Sequence, residues 1–216
     1  PEYLIKIDPS LGILGVLLEP MTVITKALEQ VYMAGQRAFW EPRTALVTGA
    51  GPIGLLAALR LKANNLDVHV LDRAETGPKA DLVRALGGTY HSGRVTELDF
   101  EPDVIVECTG VGAVIADSIQ QIGSGGILCL TGIGAGGAAT GAVASVAAQV
   151  VLKNNLIVGS VNANKRHWYK AGQNLARSDR AWLSRVITRR VKPENFQQAL
   201  ERQPDDVKVI IQFSEV

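Results

Sequence analysis

The stretch Ala45-Leu46-Val47-Thr48-Gly49-Ala50-Gly51-Pro52-Ile53-Gly54 decides the fold. A short apolar run enters a glycine-rich turn, and an apolar helical pattern leaves it from Pro52 to Lys62. Beyond it, Asp67-Val68-His69-Val70-Leu71-Asp72-Arg73 reads as a second strand closing on an acid. Strand, glycine turn, helix, strand, acid is the layout of a dinucleotide-binding unit. Gly49 permits the tight turn, Gly51 lets the backbone approach a pyrophosphate, and Gly54 lets the helix pack close to the strand. Pro52 and Ile53 open the helix, whose unpaired N–H groups and positive dipole end face the phosphates. Pro52 suits the first helical position, because the N–H it lacks would have had no helical partner. Asp72 lies 21 residues beyond Gly51, near the usual offset for a carboxylate that accepts from ribose hydroxyls. A glycine turn alone is a weak signal in a chain with 22 glycines. Its context carries the weight.

The alternation continues on both sides. Lys79 to Leu86 reads as a helix stopped by Gly87-Gly88, followed by a short strand at Thr89-Tyr90-His91. Pro102 to Cys108 is a strand leading to Thr109-Gly110, Val111 to Ile122 a helix, and Gly126 to Leu130 a strand leading to Thr131-Gly132. A small-residue helix over Ala142–Leu152 and a strand over Leu156–Asn162 follow. The predicted class is α/β, a doubly wound parallel sheet of Rossmann type, with its ligand outside the carboxyl ends of the strands. Gly49, Asp72, Thr109 and Thr131 all fall at such ends. Upstream, residues 3–7 read as a strand, and Gly15 to Pro20 as an apolar approach carrying Glu19. Met21 to Phe39 reads as an amphipathic helix with Val23, Ala27, Val31 and Ala34 on one face. Downstream, Lys165–Ser178, Ala181–Ile187 and Pro193–Gln203 read as helices and Val207–Phe213 as a closing strand. The glycine/alanine run Gly132–Gly141 suits a loop beside a ligand or a subunit contact.

Composition narrows the class of partner. An apolar fraction of 47% over 216 residues supplies a full core. With 22 basic and 21 acidic side chains the net charge is +1, which argues against nucleic acid or an anionic membrane as the main partner. Apolar runs are broken well before membrane-spanning length, and no signal-peptide pattern opens the chain. Cys108 and Cys129 lack CxxC spacing and fall in strand-like runs, so buried thiols in a reducing, cytoplasmic setting are expected.

The polar residues leave alternatives open. His69, His91 and His167 are far apart and show no metal-ligand spacing, which favours structural roles. Tyr169-Lys170 is adjacent, not the Tyr-x-x-x-Lys that one helix face would present. Glu19 beside Pro20 is either a charge at the following helix N-terminus or a site acid with a fixed direction. Asp72 favours NAD and repels the 2′-phosphate of NADP, whereas Arg73 either attracts that phosphate, stacks on adenine or is a rim charge.

The succession Leu17-Leu18-Glu19-Pro20, Val47-Thr48-Gly49-Ala50-Gly51-Pro52-Ile53-Gly54 and Glu107-Cys108-Thr109-Gly110 resembles zinc-dependent medium-chain alcohol dehydrogenases. Arg84 to Tyr90, Val158-Gly159-Ser160-Val161-Asn162, Ile187-Thr188-Arg189-Arg190-Val191 and Pro204-Asp205-Asp206-Val207-Lys208-Val209 look like its glucose 1-dehydrogenase branch. The resemblance implies a chain that is the cofactor-binding part of a longer protein. Residues 1–20 would be a remnant of a GroES-like catalytic domain and hinge, 21–164 the cofactor domain, and 165–216 a segment returning to the catalytic domain. It further implies NAD or NADP as cofactor, zinc in the full-length protein, a sugar or polyol substrate and a homo-oligomer. Glu19 matches an acid at the catalytic zinc, as ligand or substrate contact. Asn162 matches an asparagine reaching the nicotinamide and sugar, and Thr109 and Thr131 match positions lining the nicotinamide side. The implied reaction is oxidation of an aldose such as glucose at C1, with the fragment alone binding cofactor but not turning over sugar. A non-catalytic nucleotide-sensing module and a zinc-independent reductase remain the alternatives.

Overall fold

The computed structural model describes residues 4–134 and 143–214, for 143–147 the backbone alone. Most of the Gly132–Gly141 loop lies outside the described residues. At the centre runs β1 (Thr44–Thr48), four of whose five residues are buried. Such a continuous apolar run is what a parallel strand covered on both faces requires. Six strands form one parallel sheet, in the order β3 (Thr89–His91), β2 (Asp67–Leu71), β1, β4 (Val104–Glu107), β5 (Ile127–Leu130) and β6 (Leu156–Gly159). The order reverses direction between β1 and β4, which opens a crevice at their carboxyl ends.

Period-two alternation sorts the core. Ala45, Val47, Val68, Val70, Val104 and Val106 pack on one face against α1 (Leu18–Gly35), α2 (Pro52–Ala63) and α6 (Lys165–Ala176). Leu46, Leu71, Ile105 and Leu128 face the other way, onto Ile119 of α4 (Gly112–Gln121) and the adjoining Ile122 and Val95. The remaining helices are α3 (Pro78–Ala85), α5 (Val143–Leu152), α7 (Arg180–Val186) and α8 (Phe196–Leu200). A separate parallel pair, β7 (Ile187–Val191) and β8 (Lys208–Ile211), lies near the C-terminus.

Several expectations are corrected. Residue 3 lies outside the described residues, and 4–7 form no strand. Instead Asp8 accepts from the Ser10 N–H (2.9 Å) and starts a 3₁₀ segment, Pro9–Leu17, that runs into α1. Glu19 therefore sits in the first helical turn, not at the end of an extended run. The helix ends at Gly35 rather than Phe39, and Trp40 lies over Gly35, where a Cβ would be 2.0 Å from its ring. The strand expected over Leu156–Asn162 stops at Gly159, and the helix expected over Pro193–Gln203 shrinks to a 3₁₀ turn and α8. The helix expected over Ala181–Ile187 ends at Val186, and Ile187 opens β7. Arg189-Arg190 hides it in the sequence, yet Ile187 and Val191 are buried. Pro9–Gly35 is long and apolar enough to cross a membrane by length and composition, contrary to the reading of broken runs. Its apolar residues Met21, Ile24, Ala27 and Val31 are fully buried in the core shared with α2 and α6.

α1 is clamped to α6 by one acid. Glu29 accepts from Lys170 (2.6 Å), from Arg166 and from His167 Nε2 (3.3 Å). His167 is buried, and its Nδ1 accepts from the Asn164 N–H (3.2 Å), so the ring proton sits on Nε2, facing Glu29. The Lys170 ammonium leads, against the cost of burial and with His167 and Arg166 assisting, in holding the Glu29 carboxyl down to about 2. A depressed acid stabilises the fold fully above its unfolded value of 4.5, and this contribution is lost as pH falls towards 2. Glu29→Gln should cost about 1–2 kcal/mol at pH 7, after allowing for solvent around Arg166 and Lys170. The gap between urea melts of wild type and variant should narrow by roughly half between pH 7 and pH 3. A constant gap would show that the charge is not what holds the helices.

Candidate functional site

The glycine turn leaves β1 with Gly49 at φ 90°, a left-handed conformation that favours glycine. The Gly49 N–H donates to the Leu71 carbonyl (2.7 Å), tying the turn to the end of β2. A Cβ on Gly54 would lie 1.8 Å from the Gly49 carbonyl oxygen, so α2 starts in backbone contact with the turn. Gly51 caps α2, and a Cβ there would meet nothing within 4 Å. The open space lies in front of the helix N-terminus, with Pro52 and Ile53 as its first residues. A phosphate group fits this cradle.

Asp72 lies just past β2 and is largely buried, its side chain 13% exposed. It accepts from the Ala50 N–H (2.6 Å), the Arg73 N–H (2.7 Å) and Lys79 Nζ (3.2 Å). Burial works against its charge, but the Ala50 N–H, Lys79 and the Arg73 N–H outweigh it and hold the carboxyl below its ordinary value. The Arg73 side chain is exposed at the rim. A cavity of about 300 Å³ adjoins the turn, lined by Gly51, Pro52, Lys79, Arg202, Asp206 and Val207 among others. Asp206 is neutralised by Arg189 (2.6 and 3.1 Å) and bonded by the Gln203 N–H (2.8 Å). The cations of the lining are Arg202 and Lys79, the latter paired with Asp72. Sequence reasoning missed both. Lys79 follows Pro78 in the first turn of α3, a position whose direction only the packed helix fixes, and Arg202 arrives from the far end of the chain.

At the other side of the crevice Thr109 and Thr131 follow β4 and β5, both half-buried. Asn162 lies beyond β6 at φ 57°, a left-handed conformation that asparagine adopts more readily than most residues. Lys26 of α1 donates to the neighbouring Val161 carbonyl (2.8 Å). Arg37, past the end of the same helix, reaches the carbonyls of Gly125 and Asn154 before β5 and β6 (3.5 and 2.6 Å). α1 therefore runs antiparallel to the sheet. Glu19, seven residues before Lys26, lies about 10 Å further along the axis, towards and past the carboxyl edge. It is exposed there. From Asp72 to Asn162 the ligand edge crosses five strands, about 19 Å of sheet.

No zinc site is assembled among the described residues. Among the described residues, no three His, Cys, Asp or Glu side chains could hold a metal ion together. Burial pushes the Cys108 and Cys129 thiols up to about 12, so neither is a ready thiolate ligand. His69 and His91 pair with each other (2.8 Å) beside Phe100, with His69 also 3.3 Å from Asp67. His167 serves the α6 cap. The residues present do not by themselves fit a zinc ion, and Glu19 lacks the donors that would join it.

Sheet order, glycine turn and strand-end residues define a Rossmann-type α/β domain. Residues 12–213 match the family described as glucose dehydrogenase C-terminus, and the chain belongs to that family. It is 37% identical over 217 residues to glucose 1-dehydrogenase 2 of Vulcanisaeta moutnovskia, covering 98% of this chain and 62% of that protein. It is 36% identical over 224 residues to glucose 1-dehydrogenase of Methanocella arvoryzae, covering 99% and 62%. The crystal structure of Haloferax mediterranei glucose dehydrogenase with NADP, Zn and gluconolactone superposes with a TM-score of 0.92 at 28% identity, covering 99% of this chain and 63% of that one. The chain thus spans about 62% of the length of these curated relatives.

Since the Gly51 Cβ would point into empty space at φ −78°, Gly51→Val should leave the fold intact while blocking the cradle. Its melting temperature should stay within about 2 °C of wild type. Its dissociation constant for NADH, followed by nicotinamide fluorescence, should rise more than about tenfold. Unchanged binding would remove the phosphate from this turn.

Proposed function

We propose that this chain supplies the cofactor half of an NAD(P)-dependent dehydrogenase that oxidises an aldose such as glucose at C1 to the lactone. The observation that carries this is the glycine cradle at one end of the carboxyl edge and Asn162 with Glu19 at the other, in a chain whose relatives are named glucose 1-dehydrogenases. The dinucleotide, when bound, supplies the hydride acceptor. Pyrophosphate lies on the free N–H groups at the start of α2, next to Gly51, with adenosine towards Asp72 and Lys79 and the nicotinamide towards Thr109, Thr131 and Asn162. A partner domain, joined by residues 1–20 and 165–216, would bear the sugar and the remaining zinc ligands. Glu19 is exposed, and it would serve a zinc held by ligands of that partner domain, as ligand or substrate contact. The full polypeptide carrying this chain should reduce NAD(P) on addition of glucose and release gluconolactone, and Glu19→Gln in it should lower kcat by about 100-fold. The 216-residue chain alone should bind NADH without glucose-dependent turnover. Turnover by the isolated chain would place the chemistry wholly within it.

NAD is favoured over NADP, but not exclusively. The Asp72 carboxylate faces the ribose hydroxyls, yet Lys79 offsets its charge and Arg73 and Arg202 stand nearby on the rim and in the cavity. Asp72→Ser should therefore move the ratio of NADH to NADPH dissociation constants about tenfold towards NADPH. A ratio that stays put would take discrimination away from Asp72.

A further inference from the structure

His69 in β2 and His91 at the end of β3 meet at the edge of the sheet. Their rings stack with centroids 5.1 Å apart, and His69 Nδ1 lies 2.8 Å from His91 Nε2. Phe100 lies against both, its ring 4.0 Å from that of His69 and 5.9 Å from that of His91. The charged groups set against the pair are two acids. Asp67 of β2 lies 3.3 Å from His69 Nε2, and Asp99, between β3 and β4, acts on His91.

A carboxylate only accepts, so the His69 proton sits on Nε2, towards Asp67, and its Nδ1 accepts from the His91 Nε2–H. The lone pair left over is that of His91 Nδ1. A first added proton lodges there and disturbs no bond. A second has only His69 Nδ1 to go to, where it would meet the His91 Nε2–H head on and set two cations in stacked rings. The pair holds one extra proton, not two. Burial, and then the charge on His69, draw His91 below its ordinary 6.5, with Asp99 pulling the other way. An imidazole so depressed contributes stability that is fully present above 6.5 and is lost as pH falls below it.

Backbone bonds tie the pair to the glycine turn. His91 stands opposite Leu71, and its carbonyl accepts the Asp72 N–H (3.1 Å). The Leu71 carbonyl in turn accepts the Gly49 N–H (2.7 Å), and the Asp72 carboxylate accepts the Ala50 N–H (2.6 Å). β3 has three residues and a neighbour on one side only, so it is a strand that opens at low cost. Asp72 itself, held below its ordinary 3.8, stays ionised wherever imidazoles titrate.

We propose that His69 and His91 are positioning residues for Asp72: while they share a hydrogen bond β3 holds the acid against the glycine turn, and a second proton on the pair parts the strands and releases it. The proposal rests on the dinucleotide reading of this edge, and it makes affinity for the adenosine end fall on acidification.

ADP-ribose is the probe, because its diphosphate stays ionised over the range and it lacks the nicotinamide. On the 216-residue chain its dissociation constant should be level from about pH 8 to pH 6.5 and rise about tenfold by pH 5. His91→Gln should stay level within about twofold, since a carboxamide donates to neutral His69 and, turned over, accepts from its protonated form. His69→Gln should do the same from the other strand. Both variants keep His167, so titration there cannot mimic the result. In wild type, ¹H–¹⁵N spectra of the imidazoles should show the first proton at His91 Nδ1 and the loss of affinity following protonation of His69 Nδ1. A level wild-type profile, an equal fall in wild type and both variants, or loss of affinity before His69 takes its proton would overturn the proposal. Failure of the wild-type chain to bind ADP-ribose at pH 8 would strike earlier, at the dinucleotide reading itself.

Discussion

The carboxyl edge depends on one close approach, the contact between the start of α2 and the turn after β1. With a Gly54 Cβ excluded at 1.8 Å from the Gly49 carbonyl, the helix begins against the strand end. Its free N–H groups then point along the crevice where strand order reverses. Withdraw that contact and α2 must lift away. The apolar residues Leu55, Leu56 and Ala58, which seal it to the sheet, would then lose their cover. Core packing and ligand cradle are consequences of the same geometry. A change that spoils one spoils both, whereas Gly51, free of contacts, separates them.

Two acids perform related tasks on this edge. Asp72 takes the Ala50 N–H of the glycine turn, and Glu107 takes the N–H groups of Thr109 and Gly110. Turns at strand ends present backbone donors that the sheet ladder no longer satisfies, and leaving them unpaired in a buried setting is costly. A carboxylate at the strand end accepts several at once. The two differ in their company. Asp72 is paired with Lys79, which lines the cavity, whereas Glu107 is sealed and meets neutral donors.

Much of this was legible in the sequence, for definite reasons. β1, α2 and β2 announce themselves because a buried parallel strand needs an unbroken apolar run and the turn needs glycine at fixed steps. The short β3 was found from Thr89-Tyr90-His91, since Gly87-Gly88 stops the helix before it. β7 was hidden because Arg189 and Arg190 look solvent-facing, while the partner that accommodates Arg189, Asp206, is 17 residues away. The N-terminal strand was misread because residues 4–7 alternate like a strand but have no neighbour with which to pair among the described residues. Asp72, Thr109 and Thr131 could be placed at strand ends from pattern alone. Lys79 and Arg202 could not, because a long cation reaches its site from elements whose packing the pattern does not specify.

The orientation of hydroxyl protons is a level deeper still. Thr109 and Thr131 could be counted as lining residues from their positions, but as amphoteric groups they carry no recognition until something fixes which way they point. Buried Glu107 takes the Thr109 hydroxyl on its carboxylate and the Thr131 hydroxyl on its backbone carbonyl. The Glu-Cys-Thr-Gly run places these residues without showing that the acid reaches forward two positions on its own strand end and sideways to the next. The glycine contacts between Gly110, Gly132 and Gly134 serve the same end, since turns packed backbone to backbone leave the threonines little room to reorient.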